Sequence, residues 1–284
     1  MFRRASVSVH LLTLVAALAI PVSWSACATG AGSGAGKTLE PGVLKVCLYP
    51  GFAPFVSKDE QGQWIGWDVS YLKDFAKREK LVFQPVEVAD FNGIWNRPGP
   101  GECDIAASGI SDIADRRKQS GNAAIWSHHY YRVVRSFAVR AVDQNKLNGI
   151  EDLRDKTVIV TGNSTADNDL RNRLKLAGIQ SVTIETTTDE EAAAIKVRDG
   201  GGVPFAYGGG LGSNELLVKK LGGLVVAWPH CNMLEDGAQV DEPFSFVVSA
   251  KSSGLAADLN QYIAHPDAPY EGGPGPDLKC PPAP

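Results

Sequence analysis

The chain reads DIAASGISDIADR from Asp104 to Arg116. The small and apolar residues after Asp104 predict a short buried strand, which the serine–glycine pair ends. Two polar side chains follow this strand, the hydroxyl of Ser111 and, five residues later, the guanidinium of Arg116. A guanidinium is a planar cation that can donate two parallel hydrogen bonds to a carboxylate. The segment therefore predicts an anion site at the end of a strand. Taken alone, the segment fits a surface arginine better than an anion site, because the basic residues Arg117 and Lys118 follow Arg116. The prediction of an anion site therefore depends on the rest of the chain.

Length and charge exclude some functions. The 284 residues carry a formal net charge of −4 at pH 7 and are enough for two domains with sizeable cores. Because the chain is mildly acidic and has no basic stripe, nucleic acid is not an expected partner. No second long apolar stretch follows the one near the start, so we expect a mature chain that is soluble.

The N-terminus has the pattern of an export signal. Two arginines precede an apolar run at residues 11–22, which is too short for a membrane span. We expect residues 1–28 to be the signal peptide and the Gly/Ser-rich residues 29–39 to be a flexible tether. Cleavage at the end of the signal gives a soluble form, whereas a loose lipoprotein box at Cys27 gives a lipid-anchored one, and the sequence leaves both open. Either form places the protein in the periplasm or at the cell surface.

Cysteine usage agrees with export. The chain contains five cysteines: Cys27, Cys47, Cys103, Cys231 and Cys280. Without Cys27 four remain, which in an exported protein predict two disulfides with three possible pairings. The cysteine spacing matches no zinc site, and the adjacent His128 and His129 would face opposite ways on a strand, so we expect no metal and no cofactor.

Strands and helices alternate along two blocks of the chain. In the first block, Asp68 is expected to cap a helix with an apolar face. In the second, Ser164 and Asp167 form a capping-box signal, residues 203–207 predict a strand, and Ser213 is expected to cap the next helix. This alternation predicts parallel α/β sheets, whose ligands bind outside the carboxyl ends of the strands.

Three segments together resemble a known family. They are Tyr49 with Phe52-Ala53-Pro54-Phe55, then Gly66-Trp67-Asp68-Val69, then Cys103 to Arg116 followed by Trp126-Ser127 and Tyr130-Tyr131. In this order they resemble the extracellular solute-binding proteins of the polar amino-acid type, family 3, which serve ABC importers. The resemblance runs from about Val43 to Ile263. It implies the two-lobed periplasmic-binding-protein fold, an α/β fold with two parallel or mixed sheets joined by a two-segment hinge.

The resemblance also implies how the chain is divided. Residues 40–132 plus 243–265 would form the first lobe and residues 133–242 the second, with residues 266–284 as an irregular tail. The ligand would lie between the lobes and be enclosed when the hinge closes. The resemblance further pairs Cys47 with Cys103, on strands that are neighbours in the first lobe, which leaves Cys231 for Cys280.

The residues that the resemblance places on the ligand form one set. They are Phe52, Trp67, Gly109, Ser111, Arg116, Asn163, Ser164 and Gly209. Arg116, assisted by Ser111, would hold the ligand carboxylate, and two aromatic rings would sandwich its side chain. The turn before the helix at Ser164 would add N–H donors, which a helix start offers to anions in any case. The alternatives are a core position for Phe52, a Trp67 that covers the start of its own helix, and a purely capping Ser164.

One position departs from the family pattern. Where amino-acid binders have an aspartate for the ligand ammonium, this chain has Gly209, and no Asp or Glu lies within five residues on either side. A buried ammonium needs an acceptor, so the sequence predicts a carboxylate ligand without an α-ammonium group. An amino acid would require another carboxylate, such as Asp199 or Glu215, to reach the cleft.

The predicted function is that of a monomeric binding protein, not an enzyme. It would deliver a small carboxylate-bearing solute, an organic acid or an amino acid, to an ABC permease in the membrane. Two alternatives stay open. Cyclohexadienyl or arogenate dehydratases resemble this family, and so do periplasmic partner proteins of quinoprotein methanol dehydrogenases.

Overall fold

Two five-stranded sheets organise the residues that the computed structural model describes, which are 37–273, 275, 279 and 280. The predicted signal peptide with Cys27 lies outside these residues. The strands are β1 Val43–Leu48, β2 Ser57–Lys58, β3 Trp64–Ile65, β4 Val82–Glu87, β5 Ile105–Ala106, β6 Ala124–Trp126, β7 Tyr131–Val133, β8 Arg135–Arg140, β9 Thr157–Thr161, β10 Thr183–Thr187, β11 Ala206–Gly210, β12 Leu224–His230, β13 Asn232–Met233, β14 Gln239–Val240, β15 Glu242–Phe244 and β16 Val247–Ser249. The helices are α1 Trp67–Arg78, α2 Ala114–Ser120, α3 Thr165–Leu176, α4 Glu190–Asp199, α5 Leu211–Leu221 and α6 Ser253–Ala264.

Both sheets are mixed, which confirms the α/β fold class. The first has the strand order β4-β1-β5-β16-β6, with β1 parallel to β4 and β5, and with β16 antiparallel to both of its neighbours. The second has the order β10-β9-β11-β8-β12, in which β9 is parallel to β10 and β11 while β8 is antiparallel to β11 and β12. We call the first sheet with its helices the first lobe and the second sheet with its helices the second lobe.

Two chain segments connect the lobes. β7 leads from the first lobe into β8, and β15 leads back into β16. The two segments pair antiparallel, with Glu242 opposite Val133 and Phe244 opposite Tyr131. We call this pair of crossing segments, β7 with β15, the hinge.

Each lobe has its own apolar core, built as the helical spacing predicts. Val69, Leu72 and Phe75 lie on one face of α1 and are buried against the first sheet. Val158 and Leu170 belong to the core of the second lobe. No helix within the described residues is long and apolar enough to cross a membrane.

Helix starts show where the predictions held and where they were wrong. Ser164 is the N-cap of α3 and accepts a hydrogen bond from the N–H of Asp167 at 3.2 Å, as predicted. Ser213 caps nothing, because α5 already begins at Leu211, and its hydroxyl donates to the carbonyl of Ala53 across the lobes at 2.9 Å. The predicted strand at 203–207 begins later, as β11, and includes the three glycines that follow Tyr207.

Asp68 is also not a cap. It lies inside α1, fully buried, and its carboxylate accepts hydrogen bonds from the N–H groups of Ser108 and Gly109, each at 2.9 Å. The hydroxyls of Tyr130 and Tyr270 donate to the same carboxylate at 3.0 and 2.6 Å. Burial raises the pKa of Asp68, and these hydrogen bonds act in the opposite direction. The residue therefore fixes the loop after β5, on which the predicted anion site depends.

Both disulfides have the predicted pairing. Cys47 and Cys103 are bonded with their Cα atoms 5.7 Å apart, and Cys231 and Cys280 with theirs 5.6 Å apart. These separations lie in the usual range for a disulfide. The second bond ties the C-terminal segment to the second lobe.

Both chain ends of the described region pack on the first lobe. Lys37, inside the predicted tether, pairs with Asp258 on α6, and the N–H of Leu39 donates to Asp104 at 2.7 Å. Tyr270, inside the predicted irregular tail, is buried in the first core cluster. Residues before 40 and after 265 thus pack on the first lobe.

Candidate functional site

A cavity lies between the lobes, at the carboxyl ends of the parallel strands, where α/β sheets bind ligands. Its empty volume is about 430 Å³, part of it open to solvent. Residues from both lobes and from the hinge line it: Tyr49, Gly51, Phe52, Phe91, Gly109, Ser111, Arg135, Thr161, Ser164, Thr165, Ala166, Glu190, Tyr207, Gly209, Gly210 and Phe244.

Five of the eight predicted ligand residues line this cavity. They are Phe52, Gly109, Ser111, Ser164 and Gly209. Trp67, Asn163 and Arg116 are not part of the lining. Most of the predicted ligand residues therefore meet at one cavity, but three of them lie outside its lining.

Trp67 belongs to an aromatic cluster of the first lobe. Its ring packs edge-on against Phe55 at 5.2 Å and against Tyr270 at 6.1 Å between centroids. Trp67 therefore packs against the core of the first lobe, a position that the sequence did not predict. Asn163 has a left-handed backbone with φ of 59°, and its N–H donates to Asp167 at 3.2 Å, so it shapes the turn before α3.

Gly109 allows two aromatic rings to close on the loop after β5. Its φ of +58° disfavours any residue with a side chain, and an added Cβ would lie 2.4 Å from Phe52 Cε1 and 2.8 Å from Phe244 Cε2. Phe52 itself stacks on Phe55 at 5.0 Å, so it is both a cavity wall and a core residue.

Arg116 lies directly behind Ser111. Its side chain is buried, with the guanidinium carbon 4.3 Å from the ring centre of Trp95 and 5.4 Å from that of Phe91. Nη1 donates to the carbonyl of Ser111 at 3.3 Å, and among the described residues no carboxylate lies within ion-pair distance. Burial lowers the pKa of Arg116 to about 10, partly offset by the nearby Glu242. A desolvated cation of this kind favours an anion brought from outside the chain.

A buried ion pair that sequence reasoning missed occupies the cavity wall. Arg135, at the start of β8, donates from Nε to Glu242 Oε2 at 2.7 Å, and its Nη2 contacts Oε1. The side chains of this pair are 5% and 0% exposed. The hydroxyls of Ser111 and Thr165 also donate to Oε1, at 2.5 and 2.6 Å. The Glu242 carboxylate thus takes the hydroxyl that the resemblance assigned to a ligand carboxylate.

Glu190 is the second missed residue. It is the first residue of α4, only 6% exposed, and its Oε1 accepts from Thr161 Oγ1 at 3.3 Å, while Oε2 has no partner among the described residues. Burial raises the pKa of Glu190 to about 7, although Tyr207 and Thr161 lower it in part. Sequence offered a weak signal, since acidic residues after the N-cap Asp189 are ordinary in a first helical turn.

The cavity does contain a carboxyl group, although the residues around Gly209 supply none. Gly209 does line the cavity, but Glu190 enters it from another element of the same lobe. The two carboxylates suggested from sequence do not line it. Asp199 pairs with Arg198, and Glu215 is exposed on α5.

The chain resembles known proteins along most of its length. The sequence profile of the bacterial extracellular solute-binding proteins, family 3, matches residues 44–267. The arginine-binding protein ArgT of Corynebacterium glutamicum is 39% identical over 77 residues, which are 27% of this chain and 25% of that protein. A probable histidine-binding protein of Neisseria gonorrhoeae is 29% identical over 155 residues, 53% of this chain and 55% of that one. The matches thus span about a quarter and about half of these relatives.

Solved structures share the fold. The arginine-bound form of a truncated arginine-binding protein from T. maritima superposes with a TM-score of 0.64 at 22% identity, covering 78% of this chain and 95% of that one. At this identity the likeness concerns the fold alone.

Proposed function

The chain belongs to the bacterial extracellular solute-binding proteins, family 3, and we propose that it captures a small carboxylate-bearing solute of the amino-acid class between its lobes for an ABC importer. The observation that carries this proposal is the cavity between the lobes, which is lined by residues of both lobes and of the hinge. A ligand that contacts both lobes stabilises their closed arrangement, and closure is how a two-lobed protein retains a solute.

Arg116 supports the carboxylate part of the proposal. It is a buried cation for which the described residues supply no ion-pair partner, and it stands behind the cavity wall at Ser111. The start of α3, with its cap at Ser164, presents N–H groups and the positive end of the helix dipole to the same cavity. A carboxylate between Arg116 and α3 would be attracted by both.

The enzyme alternative is not favoured, because the family and the curated relatives are named as binding proteins. An acid–base step on this scaffold would use Glu190, a cavity carboxyl whose pKa is raised to about 7. Turnover of prephenate or arogenate that disappears in Glu190→Gln would contradict a purely binding function. The Ser111 and Arg116 pair supports a small-molecule ligand over the alternative of a dehydrogenase partner protein.

We further propose that the protein works outside the cytoplasm as a monomer that docks on a membrane permease. The export pattern of residues 1–28 supports this location, and Cys27 is the candidate lipid anchor. Mass spectrometry of the mature N-terminus distinguishes the forms, since a diacylglyceryl cysteine is found only in the anchored one.

Calorimetry and thermal unfolding with L-arginine, L-histidine and L-glutamine test the binding function. A ligand at 100 times its dissociation constant stabilises the folded chain by about 2.7 kcal/mol, which is visible as a higher melting temperature. Arg116→Met should weaken binding of the same amino acid by roughly 30-fold or more, because a buried charge pair is lost. Lys118→Met is the matched control, as it removes one exposed positive charge from the same helix. Wild-type protein that binds none of the three amino acids and none of their 2-hydroxy analogues would refute the proposal.

A further inference from the structure

Two buried acceptors without donors lie at the Gly209 end of the cavity, Glu190 in the lining and Asn214 behind Gly209. Glu190 Oε2 and Asn214 Oδ1 have no hydrogen-bond partner among the described residues, and both side chains are more than nine-tenths buried. Glu190 lines the cavity directly. Buried acceptors that lack donors cost free energy, so this end of the cavity favours a ligand that donates hydrogen bonds.

Tyr207 explains why the acceptor does not come from position 209. A Cβ added at Gly209 would lie 3.1 Å from Tyr207 Cε1 and 3.4 Å from both the Tyr207 hydroxyl and Asn214 Oδ1. The phenol ring therefore occupies the space that a side chain at 209 would enter. Its hydroxyl lies 3.2 Å from Thr161 Oγ1, which in turn donates to Glu190.

We propose that Glu190 binds a cationic nitrogen of the ligand, in place of the residue that Gly209 does not provide. The inference rests on the proposed function and names the ligand class more closely, as a zwitterion with both a carboxylate and an ammonium group. This proposal reverses the expectation that the ligand has no ammonium group, which was drawn from the glycine at position 209.

The charges around Glu190 leave it available for such a ligand. Arg135 is the nearby cation, but its guanidinium already forms the buried pair with Glu242. Asp189 on the same helix end adds a second negative charge, and the hydroxyl of Tyr49 faces the same region. Tyr207 on β11 and Thr161 on β9 are neutral neighbours, and the third strand packed beside α4 is β8, which begins with Arg135. A positive charge from the ligand would be the group that balances Glu190.

A matched ligand pair and a matched variant pair test the inference. L-arginine, L-histidine and L-glutamine are each compared with the 2-hydroxy acid in which a hydroxyl replaces the ammonium. The wild-type protein should bind the amino acid at least about 30-fold more tightly than its hydroxy analogue. Glu190→Gln should remove that preference by weakening the amino acid, whereas Glu191→Gln, a change of the next and more exposed residue, should preserve it.

Proton release gives a second readout that does not need a variant. Glu190 has a pKa raised to about 7, and an incoming ammonium favours its ionised form, so binding at pH 6.5 should release protons. Calorimetry in two buffers of different ionisation enthalpy measures this release, which should vanish in Glu190→Gln. Circular dichroism and thermal unfolding check that the isosteric variant is folded.

The possible results distinguish a failure of the Glu190 proposal from a failure of the proposed binding function. If the wild-type protein binds neither the amino acids nor their analogues, the proposed function is overturned and the inference with it. If an amino acid binds wild type and Glu190→Gln equally, or the hydroxy acid binds wild type as tightly, the inference alone is overturned. If Glu190→Gln does not fold, two measurements on the wild-type protein test the proposal: the ratio of its affinities for the amino acid and the hydroxy acid, and the protons released on binding.

Discussion

The buried pair of Arg135 and Glu242 should contribute a large coupling energy to folding. Glu242 is fully buried and its carboxylate accepts from four donors: Arg135 Nε, Arg135 Nη2, Ser111 Oγ and Thr165 Oγ1. Glu242→Gln preserves the shape of the side chain but replaces one of the two acceptor oxygens with an NH2 group, which would face those donors. The Arg135 guanidinium then remains buried without a counter-charge.

The expected cost of Glu242→Gln is roughly 3–5 kcal/mol, the range for breaking a buried ion pair from one side. Arg135→Gln should cost a similar amount, because it leaves the carboxylate unpaired. The double variant should be destabilised by less than the sum of the two, since two amides can hydrogen-bond to each other and no charge remains buried. A coupling energy of about 2–3 kcal/mol is expected for groups in direct contact.

Urea unfolding followed by tryptophan fluorescence measures all four free energies of unfolding. Glu235→Gln is the matched control, because its carboxylate pairs with Lys175 while 80% exposed, and such a pair contributes within about 1 kcal/mol. The reasoning is refuted if Glu242→Gln costs no more than this control, or if the two single changes add within about 0.5 kcal/mol.

Three further changes have defined outcomes. Gly109→Ala should destabilise the fold by roughly 2–5 kcal/mol, from the left-handed backbone and the contact with Phe52, and an unchanged urea midpoint would contradict this. Replacing Cys47 and Cys103 by alanine should cost roughly 2–5 kcal/mol in the free energy of unfolding measured in urea, and an unchanged midpoint would contradict this. The raised pKa of Glu190, about 7, means that the folded state holds this proton more firmly than the unfolded state. Wild-type stability should therefore fall by about 3 kcal/mol relative to Glu190→Gln as pH rises from 4.5 to 7, and parallel pH profiles would count against it.

Local rules predicted the scaffold because the scaffold depends on local chemistry. The cap at Ser164 needs only a hydroxyl before an apolar helix face, and such a signal is contained in a few neighbouring residues. Gly209 lines the cavity, but its place there was expected from the resemblance and not from a local signal. The disulfide pairing, by contrast, required the resemblance, because four cysteines allow three pairings.

Charged residues of the cavity could not be predicted in this way. Arg135 and Glu242 are the first residues of β8 and β15, positions where a charge normally meets solvent, and they are buried together where β15 pairs with β7. Glu190 looked like an ordinary first-turn acid of α4. Burial of a charge is a property of tertiary contacts, so a charged residue at the end of an element carries no local sign of it.

Under the proposed function, the arrangement of these charges favours a zwitterion. Arg135 and Glu242 neutralise each other, which leaves Arg116 of the first lobe and the carboxyl group of Glu190 of the second without an ion-pair partner among the described residues. A dicarboxylate would place a negative group against Glu190, and a diamine would leave Arg116 uncompensated, so each would bury one unbalanced charge. An amino acid balances both, and because the two charges stand on different lobes, the ligand that satisfies them also holds the lobes together.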